Sequence, residues 1–125
     1  MRLLLDTHIY LWFLDDLPRL SKAARAEIEE ADEVFVSAAS IWEAAIKVGL
    51  GKLRVESDKL VSEIRGSGFS ELPVLAKHAA LVATLPPHHC DPFDRLLVAQ
   101  AMHEPMRLLT TDAILQQYSP LVKVV

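Results

Sequence analysis

The sequence predicts an α/β fold on a mostly parallel sheet of about five strands, and three observations predict it. Short apolar runs suited to buried strands alternate with segments of helical periodicity, and strands separated by helices pair in parallel through right-handed crossovers. Most of the Gly and Pro residues fall between these segments, where they break or turn the chain. The chain has 125 residues, of which 51% are apolar. A chain of that size buries roughly two-thirds of the surface it would expose unfolded, so a core forms without disulfides or a structural metal.

Residues 3–5 are an apolar run fit for a central parallel strand, followed by a helix over 9–14. Pro18 ends that region, and Ser21 suits the N-cap of a second helix carrying Ala24, Ile28 and Ala31 on one face. Residues 34–36 form the second strand. A helix follows over about 38–48, with Gly49 and Gly51 as C-cap and turn. Ser57 caps a further helix with Leu60, Val61 and Ile64 on its apolar side, ending at Gly66 and Gly68. A short strand near 69–73 and a helix over about 75–84 come next, and Pro86 and Pro87 force a break. Asp91 and Pro92 read as N-cap and first position of a helix running to about His103. Residues 107–110 are the fourth strand, 112–117 a short helix and 121–125 the closing strand. No repeat, low-complexity tract or linker interrupts the series, so residues 1–125 read as one domain.

The composition excludes several classes. Cys90 is the only cysteine, so no intrachain disulfide forms and a reducing, cytoplasmic setting is expected. Arg2 before an apolar stretch superficially resembles a signal peptide, but Asp6 and His8 interrupt it and no small-residue cleavage site follows. The longest apolar run, 9–14, is far short of the ~20 residues of a membrane span. The formal charge of −4 argues at first sight against a polyanionic substrate. Four acids removed from the 17 Asp and Glu would leave 13, equal to the 13 Lys and Arg. The excess charge therefore fits inside one carboxylate site that cations would offset.

Four such acids stand out: Asp6, Glu43, Asp94 and Asp112. Each falls where a strand ends or a helix begins, in the strings LLLDTH, SIWEAAIK, DPFDRLLVAQA and LLTTDAIL. Each string is weak alone. As an ordered set running from the first residues to the last strand, they resemble the PIN-domain nucleases, and most closely the VapC-type toxins of bacterial and archaeal toxin–antitoxin modules. HHCDPFDR, within residues 88–95, is similar to one subset of those toxins. The resemblance implies a PIN-like three-layer α/β/α fold with strand order 3-2-1-4-5. That order makes strands one and four neighbours where the order reverses, the place where ligands bind open α/β sheets. Asp6 and Asp112 would converge there, with Glu43 and Asp94 reaching in from helices.

Two carboxylates about 4 Å apart repel by about 4 kcal/mol at an effective dielectric of about 20, so four in one pocket call for a cation between them. Oxygen ligands with no accompanying Cys favour Mg²⁺ or Mn²⁺. Asp6 and Asp94 are the candidate direct ligands and Asp112 binds directly or through water. Glu43 either binds or orients and deprotonates the attacking water. Thr111, Thr7, Asp91 and Arg95 are supporting candidates, Thr111 for a water or phosphate oxygen and Arg95 for a phosphate or an acid. Structural alternatives stand beside these roles. Asp6 and Asp112 suit helix N-caps, Ser40 and Glu43 have capping-box spacing, Asp94 suits the positive end of a helix, and Asp91 before Pro92 is first of all a cap.

His88, His89, Cys90 and Asp91, with His8, form a competing zinc set, although no C-x-x-C or H-x-x-x-H spacing supports it. Phe13 reads as core, while Trp12 and Trp42 suit either the core or an interface. The resemblance implies a Mg²⁺-dependent endoribonuclease that cuts structured RNA such as tRNA or rRNA and inhibits translation. It also implies a homodimer and a cognate VapB-like antitoxin. A DNA-directed or general phosphodiesterase would use the same acids, and an inactive PIN-fold binding module would keep only the fold. An aspartyl phosphatase is disfavoured because His8 stands where its second Asp would be.

Overall fold

The computed structural model describes residues 1–15 and 18–125. The elements run β1 (Arg2–Leu5), α1 (Thr7–Leu14), α2 (Lys22–Glu30), β2 (Glu33–Ser37), α3 (Ala38–Gly49), α4 (Ser57–Gly66), β3 (Ser70–Leu72), α5 (Ala76–Leu81), α6 (Pro92–His103), β4 (Arg107–Thr110) and β5 (Val122–Val124). Two 3₁₀ turns, Val82–Thr84 and Ala113–Gln117, extend α5 and link β4 to β5. The five strands pair in the order β3-β2-β1-β4-β5, every pair parallel. This is the expected PIN-like architecture.

Alternation along β1 makes the three layers. Leu3 and Leu5 enter one core with Ile9, Tyr10, Ala24, Ile28, Leu60 and Ile64, whereas Leu4 enters a second core with Leu97, Val98, Met106, Leu108 and Leu115. Successive strand residues point to opposite faces, so both faces of the sheet are covered by helices. No helix among the described residues is long and apolar enough to cross a membrane.

Caps set the helix boundaries. The Ser21 hydroxyl accepts from the Ala24 N–H, and Asp91 Oδ1 accepts from the Phe93 and Asp94 N–H groups at the Pro92 end of α6. Helix α3 starts at Ala38 because Ser37, not Ser40, caps it, its hydroxyl accepting from the Ala39 N–H. Glu43 therefore lies beyond the first turn and makes no capping box. Four other expectations shift. Ser57 is the first residue of α4 after the cap Glu56, Val61 is half exposed rather than core, and the 75–84 helix divides into α5 and a 3₁₀ turn. Gly49 is still helical, and the left-handed residue after α3 is Gly51, with φ 73°.

A buried polar chain joins the two helices that carry Glu43 and Asp94. The Ser37 hydroxyl donates to Gln100 Oε1 at 2.6 Å, and Gln100 Nε2 donates to the Pro73 carbonyl at 3.2 Å. Beside it, His78 Nδ1 accepts from the Leu75 N–H at 3.0 Å and its Nε2 meets Glu104 at 2.6 Å. Ser37, His78 and Gln100 are fully buried. A satisfied network of this kind fixes α3 against α6 more specifically than apolar contact does.

Candidate functional site

The carboxyl edge of the sheet is where β1 and β4 lie side by side. The Asp6 N–H extends their ladder by donating to the Leu109 carbonyl at 3.0 Å, and the Asp6 carbonyl receives the Tyr10 N–H as α1 begins. The Asp6 side chain caps no helix N–H. Instead its Oδ2 accepts from Thr110 Oγ1 at 2.6 Å, and its Oδ1 is buried with no hydrogen-bond partner. Burial pushes the Asp6 carboxyl above its ordinary pKa, and the Glu43 charge adds to that; the Thr110 hydroxyl and His8 oppose it.

Glu43, buried on α3, holds Lys47 Nζ at 3.2 Å through Oε2. Its Oε1 is buried and without a partner. Among the described residues, Asp6 Oδ1 and Glu43 Oε1 are the buried side-chain atoms left in that state. Leaving such an acceptor unpaired costs about 1–3 kcal/mol, more for a charged group. Two of them at one edge fit a bound cation.

Asp94 lies in the first turn of α6. Burial pushes its carboxyl up to about 7, and the charges of Asp6, Asp91 and Glu43 push in the same direction. Asp112 ends the loop after β4. Its N–H donates to Thr110 Oγ1 at 3.1 Å, its Oδ1 caps the Ile114 N–H at 3.0 Å, and its Oδ2 is 2.9 Å from His89 Nε2. Nε2 is also 3.6 Å from Asp94 Oδ2. Ligand atoms of His89, Asp94 and Asp112 all lie within 4.8 Å of one another, a spacing that one metal ion can span. The fold thus brings all four acids to this edge, with Asp91 close enough to act on Asp94 while capping α6.

The supporting candidates fall differently. The Thr7 hydroxyl donates to Ser40 Oγ at 2.9 Å and ties α1 to α3 in the interior. Thr111 is exposed; the hydroxyl that joins Asp6 to the Asp112 backbone belongs to Thr110, because only one of two successive residues at a strand end can face the site. Arg95 pairs with no acid among the described residues. Its guanidinium donates to the carbonyls of Val82, Leu85, Pro86 and His89 and to the Tyr118 hydroxyl, pinning the loop before α6. The zinc set does not assemble: His88 packs edge-on to Tyr118, Cys90 is exposed, and His8 stands beside Trp12 and Lys47. Of the histidines in that set, His89 is the one whose ring touches the acids, with Nε2 2.9 Å from Asp112 and 3.6 Å from Asp94. Phe13 packs on Phe69 at the first core, Trp12 is partly buried against it, and Trp42 is 61% exposed, edge-on to Phe93.

Comparison with known proteins places this geometry in context. The family model for the PIN domain matches residues 3–119. The chain is 33% identical over 121 residues to Ribonuclease VapC22 of Mycobacterium tuberculosis, an alignment covering 92% of this chain and 90% of that protein. Among solved structures, VapBC2 from Rickettsia felis bound to a promoter DNA fragment superposes with a TM-score of 0.70 at 16% identity, covering 100% of this chain and 98% of that one. A toxin–antitoxin complex from Klebsiella pneumoniae gives 0.68 at 17% identity, with 97% and 95% covered. At those identities the structural likeness is one of fold.

Proposed function

The chain belongs to the PIN-domain family, among its VapC-type ribonucleases, and from that premise we propose that it is a Mg²⁺-dependent endoribonuclease toxin that cuts a structured RNA, a tRNA or an rRNA loop, and so inhibits translation. The observation that carries this reading is the pair of buried, unpartnered carboxylate oxygens, Asp6 Oδ1 and Glu43 Oε1, beside an Asp94 carboxyl raised to about 7. A site that costs the fold this much electrostatic energy without a ligand is built to receive positive charge.

In this reading Asp6 and Asp94 hold the cation, with Asp112 bound directly or through water. Mg²⁺, or Mn²⁺ in its place, supplies a lowered pKa for a water and stabilises charge developing on the phosphodiester. Glu43 Oε1 orients the attacking water and takes its proton, while Lys47 at Oε2 fixes the carboxylate plane. The water oxygen bonds to phosphorus, one bridging P–O bond to ribose breaks, the departing ribose oxygen takes a proton from solvent, and Glu43 returns its proton to solvent. Thr110 and Thr7 keep Asp6 and α3 in register for that attack.

The family further implies a cytoplasmic homodimer and a cognate VapB-like antitoxin whose C-terminal segment fills the groove over the acids with a basic side chain. Of the solved structures of this fold cited above, one is VapBC2 bound to promoter DNA and the other a toxin–antitoxin complex, which supports an antitoxin partner. Incubation of the purified protein with total cellular RNA, with Mg²⁺ or EDTA, tests the reaction when new 5′ ends are mapped. A discrete, chelator-sensitive product is expected, and Asp6→Asn or Asp94→Asn should abolish it and relieve growth arrest on expression. Uniform degradation that EDTA leaves intact, or undiminished toxicity of both variants, would overturn the reading.

A further inference from the structure

We propose that His89 is a positioning residue of the acidic edge, a fixed hydrogen-bond donor that holds the Asp112 carboxylate in place and offers the cation no imidazole lone pair; as a role in catalysis, this rests on the nuclease reading above.

The loop before α6 is gripped from two sides at His89. Its N–H donates to the Tyr118 hydroxyl at 2.8 Å, and its carbonyl receives Arg95 at 3.4 Å. Arg95 also binds the carbonyls of Leu85 and Pro86 earlier in the loop. A segment broken by Pro86 and Pro87 thus becomes a rigid mount for one side chain, and the His89 side chain is only 18% exposed.

The ring chemistry follows from its partners. The Asp91 backbone N–H donates to Nδ1 at 3.0 Å. A backbone amide is only a donor, so Nδ1 must present its lone pair and the ring hydrogen resides on Nε2. Nε2 faces Asp112 Oδ2 at 2.9 Å, with Asp94 Oδ2 farther off at 3.6 Å. Carboxylates are acceptors, so the arrangement is consistent throughout. Both ring nitrogens are then committed, and neither can ligate a metal without breaking a bond that the loop enforces. Although His89 lies among atoms spaced closely enough to share an ion, it leaves an oxygen-only donor set suited to a hard cation rather than zinc.

Asp112 receives the Ile114 N–H on Oδ1 and His89 on Oδ2. Two directional donors fix both the position and the plane of its carboxylate, as partners beyond the ligands themselves do in metal sites. Asp6 and Glu43 each keep one oxygen without a donor. His89 therefore sorts the acids, steadying Asp112 and leaving the open oxygens to its neighbours.

The test has two independent readings. In ¹⁵N spectra of the metal-free protein, His89 should be the Nε2–H tautomer, and its ring proton signal should broaden or vanish in Asp112→Ala. In RNA cleavage, His89→Ala should lower kcat by about 10–100-fold and move KM by less than about three-fold. His89→Gln, whose amide nitrogen can reach the Nε2 position, should recover most of the loss. Combining His89→Ala with Asp112→Asn should cost no more than the larger single loss. An Nδ1–H tautomer, a signal indifferent to Asp112, multiplying losses, or a Gln variant no better than Ala would each overturn the proposal. If the parent cuts no RNA the nuclease reading fails by itself, and the tautomer with its response to Asp112→Ala still decides the His89 pairing.

Discussion

Asp94 carries the clearest pH signature of the site. Its folded pKa of about 7, against an ordinary 3.8, arises from burial first and then from Asp6, Asp91 and Glu43. A carboxyl whose folded pKa is raised binds its proton more tightly in the folded chain, so stability falls as pH climbs from about 4 toward 7. Asp94→Asn cannot ionise. In EDTA it should melt close to the parent at pH 4 and above it at pH 8; about 1 kcal/mol corresponds to about 3–6 °C for a domain of this size. A gap that failed to widen with pH would mean the cluster is not strained by charge. Thr110→Val removes the donor to Asp6 and the acceptor for the Asp112 N–H while keeping shape. It should cost about 2–3 kcal/mol in urea unfolding and at least about ten-fold in turnover, with Thr110→Ser recovering most of both. The role of Thr110, and that of His89 as a partner of Asp112 rather than a zinc ligand, were not legible in the sequence for the same reason. Acids at strand ends advertise themselves because a buried carboxylate is costly, whereas a Thr or His is at home in many loops. Which of Thr110 and Thr111 faces inward depends on one-residue parity, and a pattern of apolar runs fixes strand ends no better than that.

The elements were legible where a chemical punctuation mark stood at their ends. Asp91-Pro92 and Ser21 declared α6 and α2, because a side-chain acceptor and a fixed φ leave few alternatives. Ser37 and Ser40 are both good caps, and only the length of β2 decides between them. The glycines sharpen the same lesson. Gly68 has φ 81°, with the Phe69 N–H bonded back to Ile64 across it, so Gly68→Ala should destabilise the fold by about 1 kcal/mol. Gly49 is helical and a Cβ there would meet nothing within 4 Å, so Gly49→Ala should stabilise by about 0.5–1 kcal/mol. Thermal or urea unfolding of the pair checks both signs. Between the elements, Gln100→Leu would strand the Ser37 hydroxyl and the Pro73 carbonyl. A loss of about 2–3 kcal/mol is expected, and with it a loosened α3–α6 contact that lowers activity while leaving the acids in place.

At the scale of the molecule, alternation of strands and helices made a parallel sheet legible, but apolar runs as alike as residues 3–5 and 107–110 do not name their neighbours. The order came only through the resemblance of the four acidic strings, and that order turns distant residues into one site. Covering both sheet faces leaves the carboxyl edge as the place where charge can collect, so the whole fold supports an electrostatic cost there. A ligand that binds only the folded state returns stability as RT ln(1 + [L]/Kd), about 2.7 kcal/mol at a hundred times Kd. Saturating Mg²⁺ should therefore raise the melting temperature of the parent by several degrees at pH 8. Asp94→Asn, already relieved of its charge, should start higher in EDTA and gain little, so the two melting curves change order between EDTA and Mg²⁺. Scanning fluorimetry in both conditions measures this directly. Parallel shifts for parent and variant would place the cation somewhere other than this edge.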